Sequence, residues 1–298
     1  MKPAGATFLA RFAAAVTVVL LAGCSPLELL NQTSPDRHYE RIADVAYGEE
    51  PRQILDIYRP AAPLPSEPLV VFYYGGGWRS GEKDNYEFVA SALTEAGITV
   101  VIPDYRLYPD VTFPAFVDDA AAAVAWSVEN ADRIGISPDA VFLMGHSAGA
   151  HIASLVALDP SYLDRNSDTA VSIRAWVGLS GPYDFLPIEW SYLQDVFPEP
   201  LRDQSQPVNY VTADAPPTLL IHGVDDSTVR IDNSLSLLGR LQAEGVAARL
   251  ERYEDLGHVS VMLALAPPLD FLADTLQDSR DFILETLGQQ VASVAAQP

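Results

Sequence analysis

The chain has 298 residues, 49% of them hydrophobic, enough to bury a large core, and mixed α/β chains of this length often form one domain. Against 40 acidic residues stand 18 basic ones, for a formal charge of −22. That balance argues against a nucleic-acid partner, whose phosphates reward a basic face, and disfavours electrostatic docking onto anionic lipid.

Residues 1–23 read as a signal peptide. Lys2 and Arg11 precede or border an Ala/Val/Leu run from Phe12 through Ala22, which is too short for a comfortable membrane span of about 20 residues. The run ends in Leu21-Ala22-Gly23-Cys24, which resembles the bacterial lipobox, in which the cysteine becomes the lipidated first residue of the mature protein. Cys24 is the only cysteine in the chain, so no disulfide or cysteine metal site is available, and lipid attachment is the best use of the thiol in an exported protein. The resemblance implies a lipoprotein of the bacterial cell envelope whose membrane contact runs through the N-terminal lipid alone. Residues 24–38, polar and Pro-containing, are expected to be a tether.

Between 39 and 287 strands and helices alternate. Ile42–Val45 and Gln53–Tyr58 read as short strands, and Leu69–Tyr74 as a strand covered on both faces. A helix over Asn85–Ala96 closed by Gly97, a strand over Ile98–Ile102 and an Ala-rich helix over Phe116–Glu129 follow. Val141–Met144, Ile173–Leu179, Thr218–Ile221 and Ala247–Tyr253 supply four more strands, with helices expected at Asn233–Glu244 and Leu269–Leu287. The repeated β-α order predicts an α/β fold with a mostly parallel sheet and helices on both faces. Residues 288–298 read as a frayed tail.

Gly145-His146-Ser147-Ala148-Gly149, between a buried strand and a helix, matches a nucleophile elbow, a strained turn that lifts the serine hydroxyl above the carboxyl edge of the sheet. Its glycines are expected where strand and helix backbones approach too closely for a Cβ. Acyl transfer also needs a base, a carboxylate to orient it and donors for the oxyanion. Of the five histidines, His38 lies before the first strand, His146 is badly aimed at its own neighbour, His151 points along the following helix, and His222 ends a strand. His258, after the last strand, is left as the base. The acid is expected in the turn Val224-Asp225-Asp226-Ser227, one of two adjacent carboxylates, and the order Ser…Asp…His suits an α/β-hydrolase. Gly75-Gly76-Gly77, directly after a buried strand, can turn backbone N–H groups toward a ligand, and Ala148, following the nucleophile, is expected to add another.

Four blocks now stand in order: Gly75-Gly76-Gly77-Trp78-Arg79-Ser80-Gly81-Glu82-Lys83, Asp104-Tyr105-Arg106-Leu107, the elbow, and His222-Gly223-Val224-Asp225-Asp226-Ser227-Thr228-Val229. Together they resemble the α/β-hydrolase esterases with an HGGGW-type loop, the group of hormone-sensitive-lipase-like carboxylesterases, BD-FAE-like carbohydrate esterases and kynurenine formamidases. The resemblance implies an α/β-hydrolase fold, catalytic residues Ser147, Asp226 and His258, an oxyanion hole from Gly76, Gly77 and Ala148, and no metal or other cofactor. In the family pattern H-G-x-x-D-x-x-V the aspartate falls on Asp226. One position departs: Tyr74 stands where the family carries a histidine that braces the oxyanion loop, so altered support for that loop is expected. Arg106 is expected to bond Asp104 or a neighbouring loop.

Residues 182–210, with Tyr183, Phe185, Trp190, Tyr192 and Phe197, interrupt the β-α rhythm and are expected to form a small cap, either a lid over the site or a packed excursion. The expected activity is acyl-enzyme hydrolysis of small-molecule or carbohydrate-linked esters. The alternatives are an amide-bond hydrolase and a catalytically silent, lipid-anchored binding module.

Overall fold

The computed structural model describes residues 26–33 and 38–288. Its strands are β1 (Tyr39–Ala46), β2 (Ile54–Pro60), β3 (Leu69–Tyr73), β4 (Thr99–Pro103), β5 (Val141–His146), β6 (Ile173–Leu179), β7 (Thr218–Gly223) and β8 (Ala248–Tyr253). They form one sheet of order β1-β2-β4-β3-β5-β6-β7-β8. The pairs β1/β2 and β2/β4 are antiparallel, and all pairs from β4 to β8 are parallel. Every residue of β3, β4, β5 and β7 is buried. Because successive side chains point to opposite faces, both faces of the sheet's centre are covered, which is why these strands read as unbroken apolar runs.

The helices that matter for the site are α1 (Pro26–Thr33), α2 (Glu87–Glu95), α3 (Ala115–Glu129), α4 (Ala148–Leu158), α5 (Ser191–Val196), α6 (Asp232–Ala243), α7 (His258–Leu263) and α8 (Thr275–Thr286). The mostly parallel α/β sheet expected from the sequence is the one the chain forms. Parallel pairing also brings the carboxyl ends of β3, β5, β7 and β8 to one edge. The segments leaving those ends carry Gly75–Gly77, Ser147, Asp226 and His258.

Two expectations are corrected. The single helix over Leu269–Leu287 is two pieces, a 3-10 turn at Pro267–Leu272 and α8, separated by Ala273 in an extended backbone (φ −169°, ψ 160°). The helix-like spacing Leu269, Leu272, Leu276 runs across the break and does not reveal it. The tether is also shorter than expected, because α1 docks on the domain. Asn31 Oδ1 accepts the Phe88 N–H at 3.1 Å and Asn31 Nδ2 donates to the Asp84 carbonyl at 2.6 Å. Leu27 and Leu30, one turn apart, pack against the core, a helical spacing hidden inside a stretch that composition marks as polar. The expected signal peptide over residues 1–23, the expected lipidation site Cys24 and tail residues 289–298 lie outside the described residues.

Candidate active site

β5 ends in a backbone that only a particular neighbourhood tolerates. Ser147 sits at φ 56°, ψ −122°, between β5 and α4, and its N–H donates to the Leu179 carbonyl at 2.9 Å. A non-glycine residue at positive φ is strained and persists where the surroundings hold it. Here the surroundings are glycines: a Cβ on Gly149 would lie 2.0 Å from the Tyr73 carbonyl oxygen, and one on Gly145 would lie 2.3 Å from the Gly149 oxygen. Without those side chains, β3, the elbow and α4 close up on one another, and the hydroxyl is carried to the cavity wall.

The side chains of Ser147, His258 and Asp226 meet in a chain of hydrogen bonds. Ser147 Oγ lies 2.8 Å from His258 Nε2, and His258 Nδ1 lies 2.7 Å from Asp226 Oδ2. The carboxylate accepts, so Nδ1 carries the proton and leaves the Nε2 lone pair facing the hydroxyl. Asp226 is buried, and its other oxygen accepts the N–H groups of Thr228 (2.9 Å) and Val229 (2.8 Å). Burial pushes this carboxyl up, but hydrogen bonds from His222, His258 and the Val229 N–H outweigh it and hold Asp226 well below the usual carboxylate range. Asp225 is exposed, and its backbone N–H is tied to the Leu256 carbonyl at 3.1 Å. Geometry therefore separates the two adjacent acids.

The remaining histidines have other partners. His222 lies beneath the acid turn: Ser234 donates to its Nδ1 at 2.8 Å, and its Nε2–H is shared between the Val229 carbonyl (2.8 Å) and, at 3.4 Å, Asp226. His151 donates to the Ser205 carbonyl at 2.7 Å, and burial pushes it down to about 4. His146 is buried and bonds the backbone of His258 and not Ser147. His38 is exposed.

The glycine loop leaves β3 with Gly76 at φ +137° and Gly77 at φ +60°. A Cβ on Gly75 would stand 3.1 Å from Ser147 Cβ, so the loop runs directly alongside Ser147. The Gly76 carbonyl is turned into the 76–80 turn, where it accepts from Arg79 N (3.2 Å), Ser80 N (3.1 Å) and Ser80 Oγ (3.0 Å). Trp78 pins the loop from below, with its ring among those of Phe116, His151, Phe185 and Phe197. Ala148, the first residue of α4, is buried beside it, and a helix's first N–H groups have no acceptor within the helix.

Tyr74 points away from the cavity. Its ring is stacked between Tyr86 (5.4 Å) and Tyr105 (4.7 Å), and its hydroxyl donates to Asp104. The Tyr105 hydroxyl in turn donates to the Tyr74 carbonyl at 2.8 Å. Asp104 Oδ1 accepts from Tyr74, the Lys83 N–H and Arg52, whereas Arg106 pairs with the buried Asp119 of α3 at 2.7 Å, which corrects the expected partner.

A cavity of about 980 Å³ opens over Ser147 and His258, walled by the glycine loop, α7 and the 182–210 segment. The cap divides between its two expected roles. Tyr183 and Phe197 are fully buried, whereas Phe185, Tyr192 and the half-exposed Trp190 line the cavity. Two wall residues escape sequence reasoning. Leu27 comes from α1, and Arg79 lies 4.4 Å over the Tyr192 ring, a pairing that no local pattern announces. Among the described residues no group of three or more His, Cys, Asp or Glu is placed to hold a metal, and no helix is long and apolar enough to cross a membrane.

Residues 55–241 match the family described as BD-FAE. Among curated proteins, a probable isoprenylcysteine alpha-carbonyl methylesterase, ICME, of Oryza sativa subsp. japonica is 30% identical over 267 residues, 82% of this chain and 62% of that protein. Esterase LipC of Mycobacterium tuberculosis is 34% identical over 230 residues, 70% of this chain and 56% of that protein. The chain thus spans roughly three fifths of the length of the curated relatives it matches. Among solved structures, an inhibited esterase B from Lactobacillus rhamnosis superposes with a TM-score of 0.74 at 22% identity, over 94% of this chain and 98% of that one. A truncated carbohydrate esterase from gut microbiota does so with a TM-score of 0.72 at 21% identity, over 86% and 99%. At these identities the likeness is one of fold, the α/β-hydrolase fold.

Proposed function

Because this chain belongs to the BD-FAE family, we propose that it is a serine carboxylic-ester hydrolase working through an acyl-enzyme, with Ser147 as nucleophile, His258 as base and Asp226 as the group that orients the base. The observation that carries this reading is the unbroken relay from Ser147 Oγ to His258 Nε2 (2.8 Å) and from His258 Nδ1 to Asp226 Oδ2 (2.7 Å). His258 takes the Ser147 proton as Oγ attacks the ester carbonyl carbon. The carbonyl π electrons move onto oxygen, and the oxyanion is met by the N–H groups of Gly76, Gly77 and Ala148. Collapse expels the alcohol, which leaves with the proton held on His258. Water then repeats the sequence on the acyl-serine: His258 accepts its proton, the hydroxide adds, and Ser147 departs reprotonated as the acid is released. Asp226 stays ionised throughout and stabilises the imidazolium.

The substrates we infer are small or carbohydrate-linked esters. Support comes from an open cavity whose wall mixes apolar and aromatic side chains (Phe185, Trp190, Tyr192, Met262) with polar ones (Asn85, Asp184). On its N-terminal sequence, we place the protein in the bacterial cell envelope, held by a lipid on Cys24. Loss of radiolabelled palmitate in a Cys24→Ser variant checks that placement; equal labelling of the variant refutes it.

The activity is tested on a panel pairing p-nitrophenyl esters with the matching anilides. Turnover of esters far above anilides, abolished by Ser147→Ala, is expected. Preferential cleavage of the anilides would make the protein an amide-bond hydrolase.

A further inference from the structure

We propose that His146 is a positioning residue for the base: its imidazole holds the backbone of His258, and through it the reactive ring, in register with Ser147. The inference rests on the roles given above to Ser147 and His258.

His146 is the last residue of β5, paired with Leu179 of β6, so its backbone is held in the buried centre of the sheet. Its Nε2–H donates to the carbonyl of His258 at 2.9 Å, across 112 residues of sequence. The two rings lie 4.8 Å apart at 44°. On its other side the imidazole abuts the glycine loop, since a Cβ on Gly75 would stand 3.0 Å from His146 Nδ1. One side chain therefore touches the segment carrying the base and the segment carrying the oxyanion donors, and it is joined covalently to the nucleophile.

The base needs such an anchor. His258 opens a helix of only six residues, entered through Asp255 at φ 60° and Gly257. Gly257 is itself fixed locally by Ser260, whose Oγ accepts the Gly257 N–H at 2.9 Å and donates to the Gly257 carbonyl at 2.9 Å. Those bonds order the turn, and the Asp225 N–H, donated to the Leu256 carbonyl at 3.1 Å, fixes the segment before it to the end of β7. At His258 itself, His146 supplies the tie to β5. It also survives the reaction cycle, whereas the bond from Ser147 to Nε2 is exchanged in turn for the leaving alcohol and for water. Burial and the neighbouring His258 push His146 down to about 3, so the ring keeps one proton, which the carbonyl fixes on Nε2. Displacement of a catalytic group by about 1 Å can cost about 10² in rate, so loss of this tie should appear in kcat and not in binding.

The test compares three variants of the full chain with p-nitrophenyl acetate as substrate. His146→Gln places an amide N–H where Nε2 lies, His146→Asn carries the same amide only as far as Nδ1, and His146→Leu removes the donor. The expected result is a fall in kcat of roughly 10- to 100-fold for Leu and Asn with KM within about twofold, and recovery of most of that loss in Gln. The Gln and Asn pair decides the matter where Leu fails to fold. Equal kcat in Gln and Asn, a kcat within about twofold of wild type in Asn or Leu, or a loss confined to KM would overturn the proposal. Ser147→Ala is run alongside. Activity surviving in that variant refutes the assignment of the site, whereas an inactive Ser147→Ala beside unaffected His146 variants refutes the positioning role alone.

Discussion

The Tyr74 hydroxyl donates to Asp104 Oδ1 at 2.6 Å, and the same oxygen accepts the Lys83 N–H at 2.8 Å. One carboxylate oxygen thus gathers the residue before the Gly75–Gly81 loop and a residue just after it. Arg52 reinforces the clasp with bonds to the Tyr74 hydroxyl (2.8 Å) and the Gly81 carbonyl (2.9 Å). Where resembling esterases carry a histidine, this chain closes the loop from behind with tyrosine. Tyr74→Phe leaves the buried Asp104 short of a donor, which should cost about 1–3 kcal/mol in denaturant unfolding. The loosened loop should also lower kcat/KM, by up to about 10². Unchanged stability and rate together would show that the clasp has no role.

The two acids are distinguished by substitution. Asp226→Asn keeps the shape but leaves His258 with the wrong tautomer, and in serine hydrolases such a change costs about 10⁴ in kcat. Asp225 touches neither histidine nor serine, so Asp225→Asn should stay within about threefold of wild type. A larger loss in Asp225→Asn than in Asp226→Asn would reverse the assignment.

Much of this was legible in the sequence because the determining constraints are local. The elbow glycines announce a close approach, and it is there: the space beside Gly149 is filled by the Tyr73 carbonyl. Buried parallel strands announce themselves as apolar runs, and elimination among five histidines leads to the one within 2.8 Å of Ser147. What escaped is long-range. The partner of Arg106 is Asp119 on the following helix, brought to it by the packing of α3 on the sheet and by no local pattern. The docking of α1 depends on the Phe88 N–H and the Asp84 carbonyl, more than fifty residues away. His146 is badly aimed at the adjacent serine, and its partner, the backbone of His258, lies 112 residues away.

The elbow itself is open to a steric test. Gly149→Ala would place a methyl 2.0 Å from the Tyr73 carbonyl oxygen, an atom of the sheet's centre that has no room to move. The expected outcome is a fall in thermal midpoint of ten degrees or more, or loss of soluble protein, as for severe core overpacking of several kcal/mol. A variant with wild-type midpoint would mean that α4 can shift off β3 at little cost.

Acid should unfold the protein through its buried histidines. Burial pushes His146 down to about 3 and His151 to about 4, against about 6.5 in an unfolded chain. Between these values the unfolded state binds the extra protons, so this stabilisation is complete above about pH 6.5 and is lost as pH falls toward 4, by at most about 1.4 kcal/mol per pH unit for each histidine. Asp226, held below the ordinary carboxylate range, contributes stability present above about pH 3.9 and lost only below it, so it plays no part in that window. Urea midpoints between pH 7.5 and 4.5 should fall steeply in wild type and less steeply in His151→Gln. A flat wild-type profile contradicts this account.

Activation of the Ser147 hydroxyl is read out by a fluorophosphonate probe followed by peptide mass spectrometry. A single adduct on Ser147 is expected, absent in Ser147→Ala and strongly slowed in His258→Ala, with esterase activity falling in step with labelling. Labelling at another residue, or retention of even a tenth of the activity in Ser147→Ala, would contradict it.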